Sequence, residues 1–211
     1  MINIPTFSGT PTEQISACVK WVEAALPNSV GATGLLDLGN RTTNQILKSG
    51  KVLSSFGCLD KSTVIGSVLK QNGFEVHIIG EKVTRNSRPI GMHFSLECKK
   101  QDQKFTIDPH TTRTEVVSGW RPDIREGKIT RPFEGGREVK FQRVLRSQIP
   151  ADSLNLTAFQ VAGLKGKRDY MRVSQTPLKR YLKLIASRVS PTDTMRLNKI
   201  KKKRAQRLSK K

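Results

Sequence analysis

Apolar residues recur along the first two-thirds of the chain with helical spacing in two places and with strand spacing in several others. In TPTEQISACVKWVEAAL, residues 10–26, Ile15, Cys18, Val19, Val22 and Leu26 share one helical face behind a threonine cap, Thr10 or Thr12. This predicts an amphipathic helix with Cys18 in its core stripe. Residues 29–43 are broken by three glycines and predict a loop, followed by a short helix over 44–51. SSFGCLDKSTVIGSVLKQNG, residues 54–73, predicts a second long helix with Ile65, Val68 and Leu69 as its buried stripe and Gly73 as its terminator. Cys58 falls at or just before its start. Alternation then takes over: FEVHIIG (74–80) reads as a strand, GMHFSLECKKQDQKFTIDP (91–109) as two strands about a polar turn, and EVV (115–117) and REVKFQRVL (137–145) as further strands. The Gly/Pro/Arg-rich stretch between them, 119–136, predicts an irregular surface loop bordering a cleft. Helices first and an antiparallel sheet after them indicate the α+β class.

The 91–109 hairpin suggests its own register. Pairing residues whose numbers sum to 201 sets Phe94 against Ile107 and Leu96 against Phe105 on one face. The other face then pairs Glu97 with Lys104, Ser95 with Thr106, and His93 with Asp108. Directly opposed side chains lie ~4.5–5.5 Å apart at Cβ, close enough for a carboxylate to hold an imidazole by one nitrogen. Lys100-Gln101 at the tip is not a favoured two-residue turn, which leaves a longer loop or a bulge open.

After Pro150 the pattern changes. SLNLTAFQVAGL (153–164) predicts a helix, and TPLKRYLKLIASRV (176–189) another, with Leu178, Leu182, Ile185 and Val189 on one side. The last segment, MRLNKIKKKRAQRLSKK, is densely basic and expected to be disordered unless a partner orders it. The expected organisation is a domain over 1–149, a helical extension over 150–191 packing on it, and a basic tail over 192–211. The net charge of +21 is divided unevenly: residues 1–136 hold 17 Lys+Arg and 13 Asp+Glu, residues 137–211 hold 21 and 4. The second part, +17, would be drawn to polyanions or to an acidic protein face, and residues 179–211 are the candidate contact for nucleic acid without sequence preference.

No apolar run approaches the ~20 residues of a membrane span, and MINIPTFSG lacks the form of a signal peptide, so an intracellular location is expected. Cys18, Cys58 and Cys98 show no metal-ligand spacing and suit a reducing compartment. No phosphate loop, dinucleotide motif or calcium loop is present, and neither a cofactor nor a metal is indicated.

Cys58 adds a third element to His93 and Asp108. A thiol at a helix N-terminus sits in the positive end of the helix dipole beside free backbone N–H groups, which favour a thiolate and can cradle an oxyanion. Cysteine on a helix start, histidine on one strand and aspartate on the next form a nucleophile, a base and a group that orients the base. The run 57–109 resembles the core of the transglutaminase-like cysteine hydrolase and acyltransferase superfamily, which has a papain-like fold. That family's pattern has an acidic residue two after the cysteine, a small residue four after it, and an aliphatic helix ending in glycine before a strand. Asp60, Ser62, Val64-Ile65, Val68-Leu69 and Gly73 repeat it in order. The second signature, histidine, an acidic residue four on and Asp-Pro about fifteen on, is repeated by His93, Glu97, Asp108 and Pro109. Phe56 stands where a glycine is usual two before the cysteine, and Ser95 where an aromatic residue is common; both bear on the shape of the acyl pocket.

The resemblance implies a cysteine-dependent amide hydrolase or acyltransferase, of peptidase, isopeptidase or glutamine-deamidase type. Its substrate would be a protein or peptide carrying an amide or a glutamine side chain. The alternative is a non-catalytic nucleic-acid-binding or packaging protein on the same scaffold. A second oxyanion donor is not identified by the sequence; Asn44 and Gln45 are candidates. His110 and Trp120-Arg121 are secondary candidates for lining the cleft or touching substrate, His77 reads as structural or solvated, and Cys98, near the hairpin tip, as incidental.

Overall fold

The structure, a computed structural model, describes residues 3–30, 39–53, 57–109, 114–120, 129–133 and 137–175. Its elements in chain order are α1 (Pro11–Ala25), β1 (Asn28–Val30), α2 (Thr43–Ser49), β2 (Lys51–Leu53), α3 (Gly57–Gln71), β3 (Glu75–Arg85), β4 (Arg88–Lys100), β5 (Gln103–Pro109), β6 (Thr114–Ser118), β7 (Ile129–Phe133), β8 (Arg137–Gln148), α4 (Ala158–Val161) and α5 (Lys167–Ser174). The class is α+β. Six strands form one antiparallel sheet in the order β6-β5-β4-β3-β8-β7, and β1 and β2 form a separate parallel pair.

The helix starts follow from side-chain capping. Thr10 with Glu13, Thr42 with Gln45, and Thr157 with Gln160 each close a reciprocal capping box, satisfying backbone N–H groups that the first helical turn leaves without partners. Gly50 ends α2 in the left-handed region at φ 61°, where a Cβ would be strained.

Helix α3 is the central element. All of its residues from Leu59 to Leu69 are buried, polar ones included, because the sheet covers one side while α1, α2, β2 and α4 lie against the others. Cys58, Ser62 and Gly66 recur every four residues along one face. At Gly66 the sheet comes so close that an added Cβ would lie 2.2 Å from Ile149 Cδ1 and 3.1 Å from Leu96 Cδ2. One turn earlier Ser62 Oγ donates to the Phe94 carbonyl at 3.1 Å, fixing the helix against β4 beside His93. Core residues on both sides of this contact include Val64, Ile65, Val68, Val76, Ile78, Phe94, Leu96 and Ile107. Beyond β8, Phe159 and Tyr170 bring α4 and α5 onto the same core, their rings 5.8 Å apart.

Several sequence expectations are corrected. The β4–β5 ladder pairs Leu96 with Ile107, Glu97 with Thr106 and Cys98 with Phe105, so partner numbers sum to 203 and the turn is Gln101-Asp102. Gln101 supplies the required left-handed residue at φ 54°. The offset of two keeps every side chain on its expected face and changes its partner; His93 and Asp108 are therefore not directly opposed. The stretch expected to be an irregular loop contains β7, paired to β8. Within 153–164 only a single turn, α4, is helical, while α5 falls inside the expected helical extension at a place where no individual helix was assigned. Strand β3 runs on to Arg85 and turns through Asn86 and Ser87, both at positive φ, into β4. The helix expected over 176–189 and the tail 192–211 lie outside the described residues, as do His110 and Arg121.

Among the described residues no helix is long and apolar enough to cross a membrane, and no group of three His, Cys, Asp or Glu is placed to hold a metal ion.

Candidate functional site

The ladder between β4 and β5 stops at Leu96–Ile107, yet both strands continue. β4 stays paired to β3 as far as Arg88, and β5 stays paired to β6 as far as Pro109. His93 and Asp108 lie on the two sides of this divergence, two positions out of register. Diagonal neighbours on one face are ~7–8 Å apart, a distance that a histidine can bridge. It does so: His93 Nε2 lies 2.5 Å from Asp108 Oδ1. Both side chains are buried.

Cys58 approaches from the other side. It is the second residue of α3, where the first four backbone N–H groups have no intrahelical acceptor, and it is partly exposed. Its thiol lies close enough to His93 to help raise the imidazole. With Nε2 directed at Asp108, Nδ1 is the ring nitrogen left for the thiol. The Phe141 ring stands at 82° to the imidazole, 5.9 Å between centroids, and limits the ring's rotation. Cys58, His93 and Asp108 are thus brought together as the sequence expected, by a diagonal contact rather than a direct pair.

Burial acts against a charge on His93, but the Asp108 carboxylate and then Cys58 outweigh it and raise the imidazole to about 10. His77 behaves oppositely: burial, and then Arg146, hold it below its ordinary value. Cys18 is pushed up to about 12 by burial, and burial also pushes Cys98 upward. Of the three cysteines, only Cys58 has an imidazole partner and access to solvent.

Three ion pairs, on two carboxylates, brace the site. Asp60, in the first turn of α3 and 1% exposed, is held by Arg41, which also donates to the Lys51 carbonyl at 3.1 Å and to Ser49 Oγ at 3.3 Å. Arg41 thereby ties the start of α3 to the end of α2 and to β2. Four residues past His93, the buried Glu97 carboxylate accepts from Arg143 Nη2 at 2.8 Å and Arg146 Nε at 3.1 Å, both on β8. Between β4 and β8 the buried Glu81 is the register partner of both His93 and Arg143. None of these long-range partners had a signal in the sequence beyond residue type.

The remaining candidates serve other contacts. Asn44 Nδ2 donates to Asn155 Oδ1 at 3.0 Å, and Gln45 Oε1 closes the α2 capping box. Trp120 carries the Lys104 ammonium 4.6 Å over its ring, an anchor to β5. Cys98 lies in the core.

The arrangement can hold a proton on an imidazole beside a thiol, orient that imidazole, and offer backbone N–H groups at the thiol. No protein-family model matches the chain, and no curated protein matches it in sequence.

Proposed function

We propose that the protein is a cysteine-dependent amide hydrolase or acyltransferase of the transglutaminase-like, papain-like type. The observation that carries this reading is His93 held by Asp108 on one side and neighboured by Cys58 on the other, with the cysteine at the start of a buried helix and the histidine raised to about 10 by both. Cys58 attacks the carbonyl carbon of an amide. His93 delivers its proton to the leaving nitrogen, and the C–N bond breaks to leave an acyl-thioester. Water or an amine, deprotonated by His93, then attacks the thioester and releases Cys58. Asp108 keeps the imidazole oriented and favours its protonated form. The backbone N–H groups of the first turn of α3 support the oxyanion. A protein or peptide carrying an amide or a glutamine side chain suits this chemistry. The basic residues 179–211 draw the enzyme to a polyanion.

The test is a panel of glutamine-containing peptides, followed by ammonia release and mass change. Turnover by the wild type and its loss in a folded Cys58→Ala variant is the expected result; a folded Cys58→Ala variant with full turnover refutes the assignment.

A further inference from the structure

Outside the thiol site, four cations cluster at the start of α5. Lys165, Lys167, Arg168 and Arg172 line a cavity of about 510 Å³ together with Gly166 and Asp169. Its acid is already engaged: the Asp169 carboxylate accepts from Arg172 at 2.6 and 3.2 Å and from the Lys165 backbone N–H at 3.2 Å. Lys165, Arg168 and Arg172 are exposed. The chain then continues into residues 176–211, which hold 13 Lys+Arg and one Asp.

We propose that this face of α5, continuous with the basic sequence after it, binds the phosphate backbone of nucleic acid without reading its sequence. Paired arginine forks and lysines match phosphate oxygens in geometry and sign. The opposite side of the helix favours nucleic acid over an anionic membrane. Tyr170 is buried against Phe159, and Met171 and Val173 pack on the core. Among the described residues no exposed large apolar side chain stands beside the cations to enter a bilayer, as an interfacial helix requires. The exposed large apolar residues among those described are Val116 and Val117, on β6. Among the described residues no aromatic ring lines the cavity, which favours contact with the backbone over base stacking. This inference rests on the polyanion reading above and gives it a site on the folded part of the chain.

The experiment is fluorescence-anisotropy titration of the full-length protein with labelled duplex DNA and duplex RNA of mixed sequence over a range of salt. Wild type is compared with Lys165→Gln/Arg168→Gln and with a control, Lys20→Gln/Lys48→Gln, two exposed lysines on α1 and α2. With about 0.9 counterions released per phosphate contact on duplex DNA, the α5 variant should flatten the slope of log K against log salt by about two and weaken binding at low salt by tenfold or more. The control should leave both unchanged. The same loss on DNA and RNA, or on one of them, supports the proposal and identifies the nucleic acid. Tight binding unaffected in the α5 variant overturns the α5 site and leaves the polyanion role to residues 179–211. Absence of binding to either duplex, with capture by phosphatidylserine vesicles, overturns the choice of partner. Cys58→Ala should bind as wild type does, which separates this result from the fate of the thiol chemistry.

Discussion

Removing the Arg41 guanidinium by Arg41→Met tests whether the start of α3 is held by the ion pair described above. The substitution retains a long apolar stem and leaves the Asp60 carboxylate, 1% exposed, without its cation, while the Lys51 carbonyl and Ser49 hydroxyl lose a donor. Truncating one partner of a buried pair costs ~3–5 kcal/mol. The Arg41 side chain is 16% exposed, so water screens part of the interaction and the lower end, ~3 kcal/mol, is the appropriate expectation. That is about two orders of magnitude in the folded-to-unfolded ratio and, at this chain length, a fall in Tm of roughly 6–12 °C. Urea unfolding monitored by circular dichroism measures it, with Asp60→Asn and the double variant completing the cycle. Asp60→Asn should recover a substantial part of the stability lost in Arg41→Met, because the burden comes from a buried charge that has lost its arginine. A single variant within ~0.5 kcal/mol of wild type, the span of ordinary surface substitutions, or a double variant no better than Arg41→Met, would refute the reasoning.

Gly66→Ala should destabilise by ~1–3 kcal/mol despite alanine's better helix propensity, because its methyl group meets Ile149 and Leu96; combining it with Ile149→Val should restore part of the loss in a thermal melt. Glu97→Gln should cost ~2 kcal/mol in urea unfolding, the value of charge-assisted bonds to Arg143 and Arg146, and a neutral result would mean those arginines are held by other contacts. His93, raised to about 10 from an ordinary value near 6.5, contributes stability that is fully present below about pH 6.5 and lost as pH rises through about 10. The urea midpoint of the wild type should therefore decline across that window, and Asp108→Asn should shift the decline to lower pH; identical profiles would remove Asp108 as the cause.

Much of the fold was legible because a period of two or of 3.6 assigns a face without needing a partner. Phe94, Leu96 and Cys98 alternate with His93, Ser95 and Glu97, and the two sets lie on the faces that the pattern implied. A shift of two residues leaves that pattern unchanged, so the sequence contained no penalty separating a sum of 201 from 203; the turn at Gln101, a residue without a strong turn signature, decided it. Strand β7 went unread because Pro132 and the surrounding glycines and arginines resemble a loop, and pairing at the sheet edge tolerates such residues. Helix α5 was not delimited within the expected helical extension because its apolar residues are few and its packing rests on burying Tyr170. The three members of the thiol site could be named from residue type, order and capping chemistry. Their supports could not: Arg41 reaches Asp60 across 19 residues, and Arg143 and Arg146 reach Glu97 across 46 and 49.

The most direct test of the thiol site is the pH dependence of iodoacetamide labelling of each cysteine in the folded protein, read by peptide mass spectrometry. An activated thiol–imidazole pair predicts labelling of Cys58 faster than an ordinary thiol at neutral and lower pH, slowed in His93→Ala, while Cys18 and Cys98 stay unlabelled in the core. Labelling of Cys58 only as fast as an ordinary thiol, and unchanged in His93→Ala, would contradict the account.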